Sequence, residues 1–496
     1  MSLKNYVNLV RINRRVLITC LIFFFFSQLL FLVNIQYPVG VNFDEFHYVP
    51  SAKQYLALTT NQNWEHPPLG KLLMAVGIGI LGDRPIGWRY MSTLFGSLTL
   101  VAMYLWGLAL FETQETAIWI ALLTVCNSLL YVQARIGMLD TFMFGFLAWS
   151  LAAFTAAWDS RRSNRELQIL LCFSGTLMGF ATACKWFAVV PWTSCIGLVC
   201  LVKMMQLFGF SSQSTPAKSV KAKVPSQKKK SKSKQAQASP KPLVKEETLE
   251  RDWYDPQLWA GVKIWQWLLY FGVLPLIAYF ICFIPLYFVP HSEPMNLWSL
   301  IDMQRKMWDG QLRVVTHHPY MSEWWQWPLM LRPIWYAFDT EQPTKAWVRG
   351  VLLLGNPLVM WTGIPAVLTC AWVWLRHRSR EGFLIFYFYS AFYFCWVLIP
   401  RKISFYYYYY PAGMVISLAL GYVFHYAGLD QTSQPISQKL KGWRGAFVKY
   451  SAKVDWLRWM YLGSSLAIFI YFFPILAALR IPANAFRKWM WFTFWI

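Results

Sequence analysis

Long apolar runs separated by short polar turns dominate this chain, and several approach the roughly 20 residues needed to cross a bilayer. The pattern predicts helices at about 16–35, 88–110, 116–134, 138–158, 167–184, 187–208, 260–289, 350–375, 382–399, 404–427 and 459–479. That is about eleven spans. A shorter Gly-rich apolar segment, roughly 69–82, suits a helix lying in the membrane interface. The first run lacks a small-residue cleavage site and more spans follow, so it reads as a retained helix rather than a signal peptide.

Basic residues orient the spans. Arg11, Arg14 and Arg15 precede the first span and put the N-terminus in the cytoplasm. Alternation then puts Arg161, Arg162 and Arg165, a Lys-rich insert, "RHRSR" (376–380) and the stretch holding Lys439 to Lys453 on the same side. The acidic "FETQE" (111–115) breaks the pattern, although acidic residues weigh little in this rule. Residues 36–87 and 290–349 become long external loops, and the tail 480–496 ends outside, its "KWMWFTFW" reading as an interfacial anchor. The expected organisation is an N-terminal transmembrane half (1–210), a disordered cytoplasmic insert (211–257) and a C-terminal transmembrane half (258–496).

Composition agrees. Of 496 residues, 57% are hydrophobic and 14% charged, against about 25% charged in soluble domains. The net charge of +23 is uneven, because residues 211–245 carry ten Lys and no acid. With no nucleic-acid motif beside it, this charge points to anionic lipid rather than nucleic acid. The nine cysteines lie in or beside apolar stretches without C-x-x-C spacing, which predicts free thiols and no zinc site.

The candidate chemistry gathers outside. Asp44 and Glu45 in "VNFDEFHYVP" stand just beyond the first span, and His47, His66, His291, His317 and His318 fall on the same side. Arg89 opens the second span, Arg135 and Asp140 flank an outer turn, Lys185 marks another, and Arg401 precedes five tyrosines, Tyr406 to Tyr410. Each cation alone fits a snorkelling or helix-stapling role, with an Arg135–Asp140 ion pair as one version, and the tyrosines alone fit an aromatic belt. Together they predict an outer cavity with one working carboxylate and several permanent cations. Such a cavity suits a membrane-bound sugar phosphate. Its phosphate leaves without a general acid, cations stabilise the departing charge, and one carboxylate serves as general base. Adjacent carboxylates diverge, so one is assigned as base and the other as a positioning group. The histidines have poor ligand spacing, which favours contacts to sugar or peptide over a divalent metal. A lipid transporter or flippase would carry its charges near the bilayer midplane, whereas here they sit at helix ends.

"FDEFHY", "HPPLGKLL", "WRYMSTLFGSLTL", "ARIGMLDTF" and "CKW", in that order, resemble protein O-mannosyltransferases. "HHPYMSEWWQWPLMLRPIWYAFD", "LGNPLVMWTGIPAV" and "RKISFYYYYYPA" resemble the C-terminal half of bacterial members. The resemblance implies an all-α polytopic membrane protein of the GT-C class, with the N-terminus cytoplasmic and the C-terminus external. It implies a polyprenyl-phosphate mannose donor, a Ser/Thr polypeptide acceptor, no cofactor, and a bacterial inner membrane with the active site facing outward. It makes Asp44 the base, with Glu45 assisting the acceptor site, and Arg89 a phosphate contact. Arg135, Lys185 and Arg401 are further phosphate candidates. His47, His66, His318, Tyr320 and Asp140 are candidates for acceptor or sugar contacts. The external loop 290–349 is too short for the trefoil domain of eukaryotic members. An aminoarabinose-transferase-like enzyme, with another sugar or a lipid or glycan acceptor, is the alternative of the same donor type.

Overall fold

The structure, a computed structural model, describes residues 13–60, 62–210, 252–290, 295–313, 317–399, 401–429 and 454–495. Residues 211–251 of the expected disordered insert, His291 and the basic stretch Lys439 to Lys453 lie outside the described residues, whereas 252–257, expected within that insert, are ordered, with Asp252 paired to Arg378 and Tyr254 buried. Among the described residues, nine helices are long and apolar enough to cross a membrane. In chain order the N-terminal half holds α1 (Arg14–Phe31), α2 (Glu45–Ala57), α3 (Leu69–Leu81), α4 (Pro85–Phe111), α5 (Gln114–Cys126), α6 (Leu129–Ala134), α7 (Leu139–Ala157), α8 (Asn164–Cys184) and α9 (Val189–Leu207). The C-terminal half holds α10 (Ile264–Leu268), a π-helical turn, α11 (Leu274–Ile281), α12 (Leu297–Arg313), β1 (Ile334–Thr340), β2 (Trp347–Leu353), α13 (Pro357–His377), α14 (Arg380–Leu398), α15 (Tyr410–Leu429), α16 (Val454–Leu476) and β3 (Ile481–Pro482).

Burial separates centre from rim. The apolar window of α7 is 83% buried, whereas that of α1 is 22% buried. On α1, Leu21, Ile22, Phe25, Phe26 and Leu29 stand exposed with no polar stripe opposite, the mark of a lipid-facing helix. α7 packs between α4 and α8, and α4 also meets α1, α3 and α5. The short α3 follows the Pro67-Pro68 turn, and Gly77 and Gly87 let it approach α4 closely. Gly175 and Gly179 do the same between α8 and the π-turn region, where an added Cβ would meet the backbone oxygens of Tyr270 and Pro275 at 1.7 and 2.2 Å.

The expected span 116–134 is broken. Ser128 adopts φ 71° and divides α5 from α6. Asn127 donates to the Gly413 carbonyl (2.9 Å), while the Asn356 side chain donates to Cys126 (2.9 Å) and Ser465 (2.8 Å) carbonyls. These amides satisfy backbone groups that the break would leave bare. Asn356 also caps α13, its Oδ1 accepting from the Leu358 N–H, and Pro357 takes the first helical position. The expected span 350–375 therefore starts at 357, because 347–353 is strand β2.

That strand belongs to a small antiparallel sheet, order β1-β2-β3, which the helical reading did not anticipate. β3 brings the C-terminal tail beside the 290–349 region. Trp495 is buried there, donating to the Met330 carbonyl and accepting from Trp335 Nε1. The tail is docked through Trp495 and Ile481, while Trp491, Phe492 and Phe494 and its charged residues stay exposed. At the other end of the bundle the acidic "FETQE" meets basic loops. Glu112 pairs with Arg161 and Glu115 with Arg458. Arg380 donates to the carbonyls of Ala109, Leu110 and Trp158, closing the C-terminal ends of α4 and α7.

Gly175→Ala forces α8 away from the π-turn and is expected to lower stability by roughly 1–3 kcal/mol. Gly463→Ala, where an added Cβ meets nothing within 4 Å, is expected to leave stability unchanged or slightly raised. Melting of the two variants in detergent checks this.

Candidate active site

The loop after α1 returns to the bundle as α2, with Asp44 just before the helix and Glu45 as its first residue. The neighbouring carboxylates point into different surroundings. Glu45 is completely buried and accepts four hydrogen bonds. Its Oε1 takes Arg89 Nε (2.8 Å) and the Gly137 N–H (2.7 Å), and its Oε2 takes Arg89 Nη2 (2.7 Å) and the Asn42 N–H (3.1 Å). Gly137, in "ARIGMLD", allows this approach because a Cβ there would crowd Glu45 Oε1 at 3.2 Å.

Arg89 is equally committed. Beyond Glu45, its Nη1 donates to the carbonyls of Ile35 (3.2 Å) and Pro38 (2.7 Å), and its Nη2 to that of Gly40 (3.0 Å). All five guanidinium N–H groups are used. Arg135 is also fully buried, donating to the carbonyls of Asn34 (2.8 Å), Tyr37 (3.2 Å) and Leu476 (3.4 Å). Arg89 and Arg135, expected as phosphate contacts, donate to these fixed acceptors and are absent from the lining of the cavity that Lys185 and Arg401 line. Both hold the backbone of the loop that presents Asp44. Glu45 is a scaffold group too, with no lone pair left for an acceptor.

Asp44 differs. Its Oδ2 accepts from Tyr48 (3.2 Å) and Tyr407 (3.4 Å), and its Oδ1 has no partner among the described residues. Phe43 before it adopts φ 51°, uncommon for a bulky residue. The rings of Tyr336, His318, Phe405 and Tyr407, at 5.0–6.1 Å, hold it there. Desolvation raises the Asp44 carboxyl above its ordinary pKa of 3.8, opposed by the positive charge of Lys185.

A cavity of about 460 Å³ has a lining that includes Glu65, His66, Asp140, Lys185, Arg401 and Tyr408 but not Asp44, which connects to it through Tyr48 and the charge of Lys185. Lys185 forms a buried pair with Asp140, at 2.9 and 2.7 Å to the two carboxylate oxygens. Its Nζ also lies over the rings of Tyr407 (4.8 Å) and Tyr408 (5.2 Å). The Arg135–Asp140 staple is thus replaced by Lys185–Asp140. Arg401 lies over the Tyr408 ring (5.1 Å) and donates from Nη1 to Gln311 Oε1 (3.1 Å). Its Nε is buried with no partner, and its Nη2 donates to no described residue. The rest of the lining is largely apolar, including Val189, Val190, Trp308, Leu312 and Leu398.

The remaining candidates divide. The His66 ring meets Tyr48 edge-on at 5.8 Å, linking the cavity to the Asp44 side. Burial and the nearby cations push its pKa down. His318 packs on Phe43 and Phe405, accepts from the Tyr320 N–H at Nδ1 (3.2 Å) and is shifted downward by burial. The Tyr320 ring lies against His318, and neither residue lines the cavity. His47 and His317 are exposed. Among the described residues, no three or more His, Cys, Asp or Glu side chains are grouped to hold a metal ion. The tyrosines do not form a surface belt. All five are buried, with Tyr408 stacked on Trp396 at 4.4 Å and Tyr409 bonded to Tyr389.

Sequence reasoning missed Tyr48, Gln311 and Tyr336. Tyr48 was findable, since it stands one helical turn from Asp44. Gln311 and Tyr336 carry no local signal.

Known proteins were compared with this arrangement. A family model for the C-terminal four-transmembrane region of protein O-mannosyltransferase matches residues 297–495. A second, dolichyl-phosphate-mannose-protein mannosyltransferase, matches residues 65–208. The chain belongs to the protein O-mannosyltransferase family. Among this family, a polyprenol-phosphate-mannose–protein mannosyltransferase of Mycobacterium tuberculosis is 24% identical, the match covering 91% of this chain and 86% of that one. The Saccharomyces cerevisiae protein O-mannosyltransferase Pmt1-Pmt2 complex, solved with the sugar donor, aligns over 99% of this chain and 94% of that one, with a TM-score of 0.72 and 14% identity. ArnT from Cupriavidus metallidurans, solved with undecaprenyl phosphate, aligns over 96% of this chain and 77% of that one, with a TM-score of 0.55 and 14% identity. The O-mannosyltransferase fold is thus the GT-C fold of multi-pass membrane glycosyltransferases.

Removing Arg89 strands a buried carboxylate. Arg89→Ala is expected to cost about 3–5 kcal/mol of stability, seen as loss of folded protein or a lowered melting point in detergent. A folded Arg89→Ala enzyme with only donor affinity reduced would instead return Arg89 to the phosphate site.

Proposed function

We propose that this chain transfers mannose from a polyprenyl-phosphate donor to Ser or Thr hydroxyls of polypeptides, with inversion, at the outer face of a bacterial inner membrane. The observation that carries the reading is the pairing of two unsatisfied groups at one site. Among the described residues the carboxylate oxygen Asp44 Oδ1 has no partner, and the Nε–H of Arg401, which lines the apolar-walled cavity, is buried without one. Family membership supports the reaction class, and the names of the relatives support mannose, a prenyl phosphate and a protein acceptor.

In the proposed step the acceptor hydroxyl gives its proton to Asp44 Oδ1 while its oxygen attacks the anomeric carbon. The bond from that carbon to the phosphate oxygen breaks, and prenyl phosphate departs. Negative charge thus passes from Asp44 to the leaving phosphate. Arg401 stabilises the developing charge with donors that hold nothing in the free enzyme. Lys185 adds little net charge, because Asp140 neutralises it. Single displacement inverts the sugar carbon. Tyr48 and Tyr407 occupy Oδ2, which directs proton transfer to Oδ1. His66 and Asp140 lie where the sugar would meet the cavity wall, and His318, Tyr320 and His47 fall on the acceptor side.

Asp44→Asn should reduce turnover by roughly 10²–10⁴-fold in purified enzyme given mannosyl phosphoprenol and Ser/Thr peptides. Wild-type-like turnover would remove Asp44 as base. Aminoarabinose transfer from the corresponding donor, without mannose transfer, would favour the other sugar branch. Because the Asp44 carboxyl is raised, its base form is lost as pH falls through a value above the ordinary one, about 4. The acid limb of kcat/KM should therefore lie above that pH. Activity should also survive chelator treatment. Loss restored by one divalent ion would place a metal in the reaction.

A further inference from the structure

α12 carries three distinct faces. Leu300, Gln304 and Met307 pack inward against the protein. Leu297, Ile301, Trp308 and Leu312 form an exposed apolar stripe beside that face. Asp302, Lys306, Asp309 and Arg313 fall on the remaining side. A helix with protein, apolar and polar faces in this order suits a membrane interface, with protein, lipid and water each contacting one side. Gln311, half-buried, falls on the protein face between Leu300 and Gln304, at the seam where α12 packs on the rest of the chain.

At the seam Gln311 makes two hydrogen bonds. Its Oε1 accepts from Arg401 Nη1 (3.1 Å), and its Nε2 donates to the Glu65 carbonyl (2.9 Å). Gly310 beside it packs on Trp64 and Glu65, where a Cβ would come within 3.1 Å of the Trp64 ring. One amide therefore ties together α12, the "WEHPP" loop and the guanidinium. The Tyr408 ring supports Arg401 from its face, and Gln311 fixes its rotation about the long side chain. Nε is left buried without a partner among the described residues, and Nη2 donates to no described residue.

We propose that Gln311 is a positioning residue for donor recognition, orienting the unused donors of Arg401 toward the phosphate of the lipid-linked sugar. The inference rests on the reading of Arg401 as the phosphate-binding cation. A flexible arginine must lose rotational freedom on binding a ligand, and prior fixing reduces that loss. Gln311 acts through Arg401 and touches neither the reacting carbon nor the acceptor.

The test is a double-mutant cycle in purified full-length enzyme, with mannosyl phosphoprenol and a Ser/Thr peptide varied separately. Arg401→Ala is expected to raise donor KM by roughly 10–100-fold, the loss of a charge-assisted contact. Gln311→Leu is expected to raise donor KM roughly 5–10-fold, with acceptor KM and kcat at saturating donor unchanged within about twofold. In the Arg401→Ala background, Gln311→Leu should add nothing. Should Gln311→Leu fail to accumulate, Gln311→Glu serves instead. Its carboxylate keeps the contact but neutralises Arg401, so donor KM should rise and the rise should vanish in the Arg401→Ala background. A normal donor KM for Arg401→Ala sinks the phosphate reading itself. A raised donor KM there, with Gln311 variants that are silent or strictly additive, overturns this inference alone.

Discussion

The end of the bundle that carries the candidate site depends on one buried ion pair, Glu45 with Arg89. Every acceptor site of the carboxylate and every donor of the guanidinium is engaged. A buried pair is tolerable only when its remaining hydrogen-bonding capacity is satisfied. Satisfying it draws four chain segments together: the end of α1, the loop before α2, the start of α4 and the Gly137 turn. The pair leaves Asp44, the residue just before Glu45, as the carboxylate with an oxygen unpartnered among the described residues.

The same division recurs among the cations. Arg89 and Arg135 point at backbone carbonyls and build the loop. Lys185 is neutralised by Asp140. Arg401 is held over an aromatic face with donors to spare. A cavity that receives an anion cannot use cations already matched to fixed acceptors, since each would have to exchange one good bond for another. Arg135 and Arg401 each keep a buried Nε without a partner among the described residues, but of the two only Arg401 lines the cavity, where binding makes new bonds without breaking old ones. Its charge is then available when negative charge moves from the Asp44 carboxylate to the leaving phosphate.

Much of this was legible in the sequence. Apolar runs located most of the spans, and His66, Asp140, Lys185 and Arg401, read from the sequence as candidates at helix ends, line one cavity. What failed depended on partners remote in sequence. Nothing local shows that Arg89 meets Glu45 rather than a ligand, or that Asp140 chooses Lys185 over Arg135, because both alternatives satisfy the same charge rule. The break at Ser128 was hidden because the apolar pattern continues through it, and the compensating Asn356 lies more than two hundred residues away. The β2 strand was absorbed into a span because "WVRGVLL" is as apolar as the helix after it. The five tyrosines read as a belt because composition reports amphipathic rings and not their burial.

The central claim is that Glu45–Arg89 is scaffold while Asp44 and Arg401 do the chemistry. The most direct measurement is a structure of the enzyme in lipid nanodiscs with a non-transferable phosphonate analogue of mannosyl phosphoprenol. The account predicts that the Glu45–Arg89 pair stays intact, the phosphonate oxygens accept from Arg401, and Asp44 Oδ1 faces the anomeric carbon from the side opposite the phosphonate. Arg89 released from Glu45 and bonded to the phosphonate, with Arg401 turned away, would contradict it.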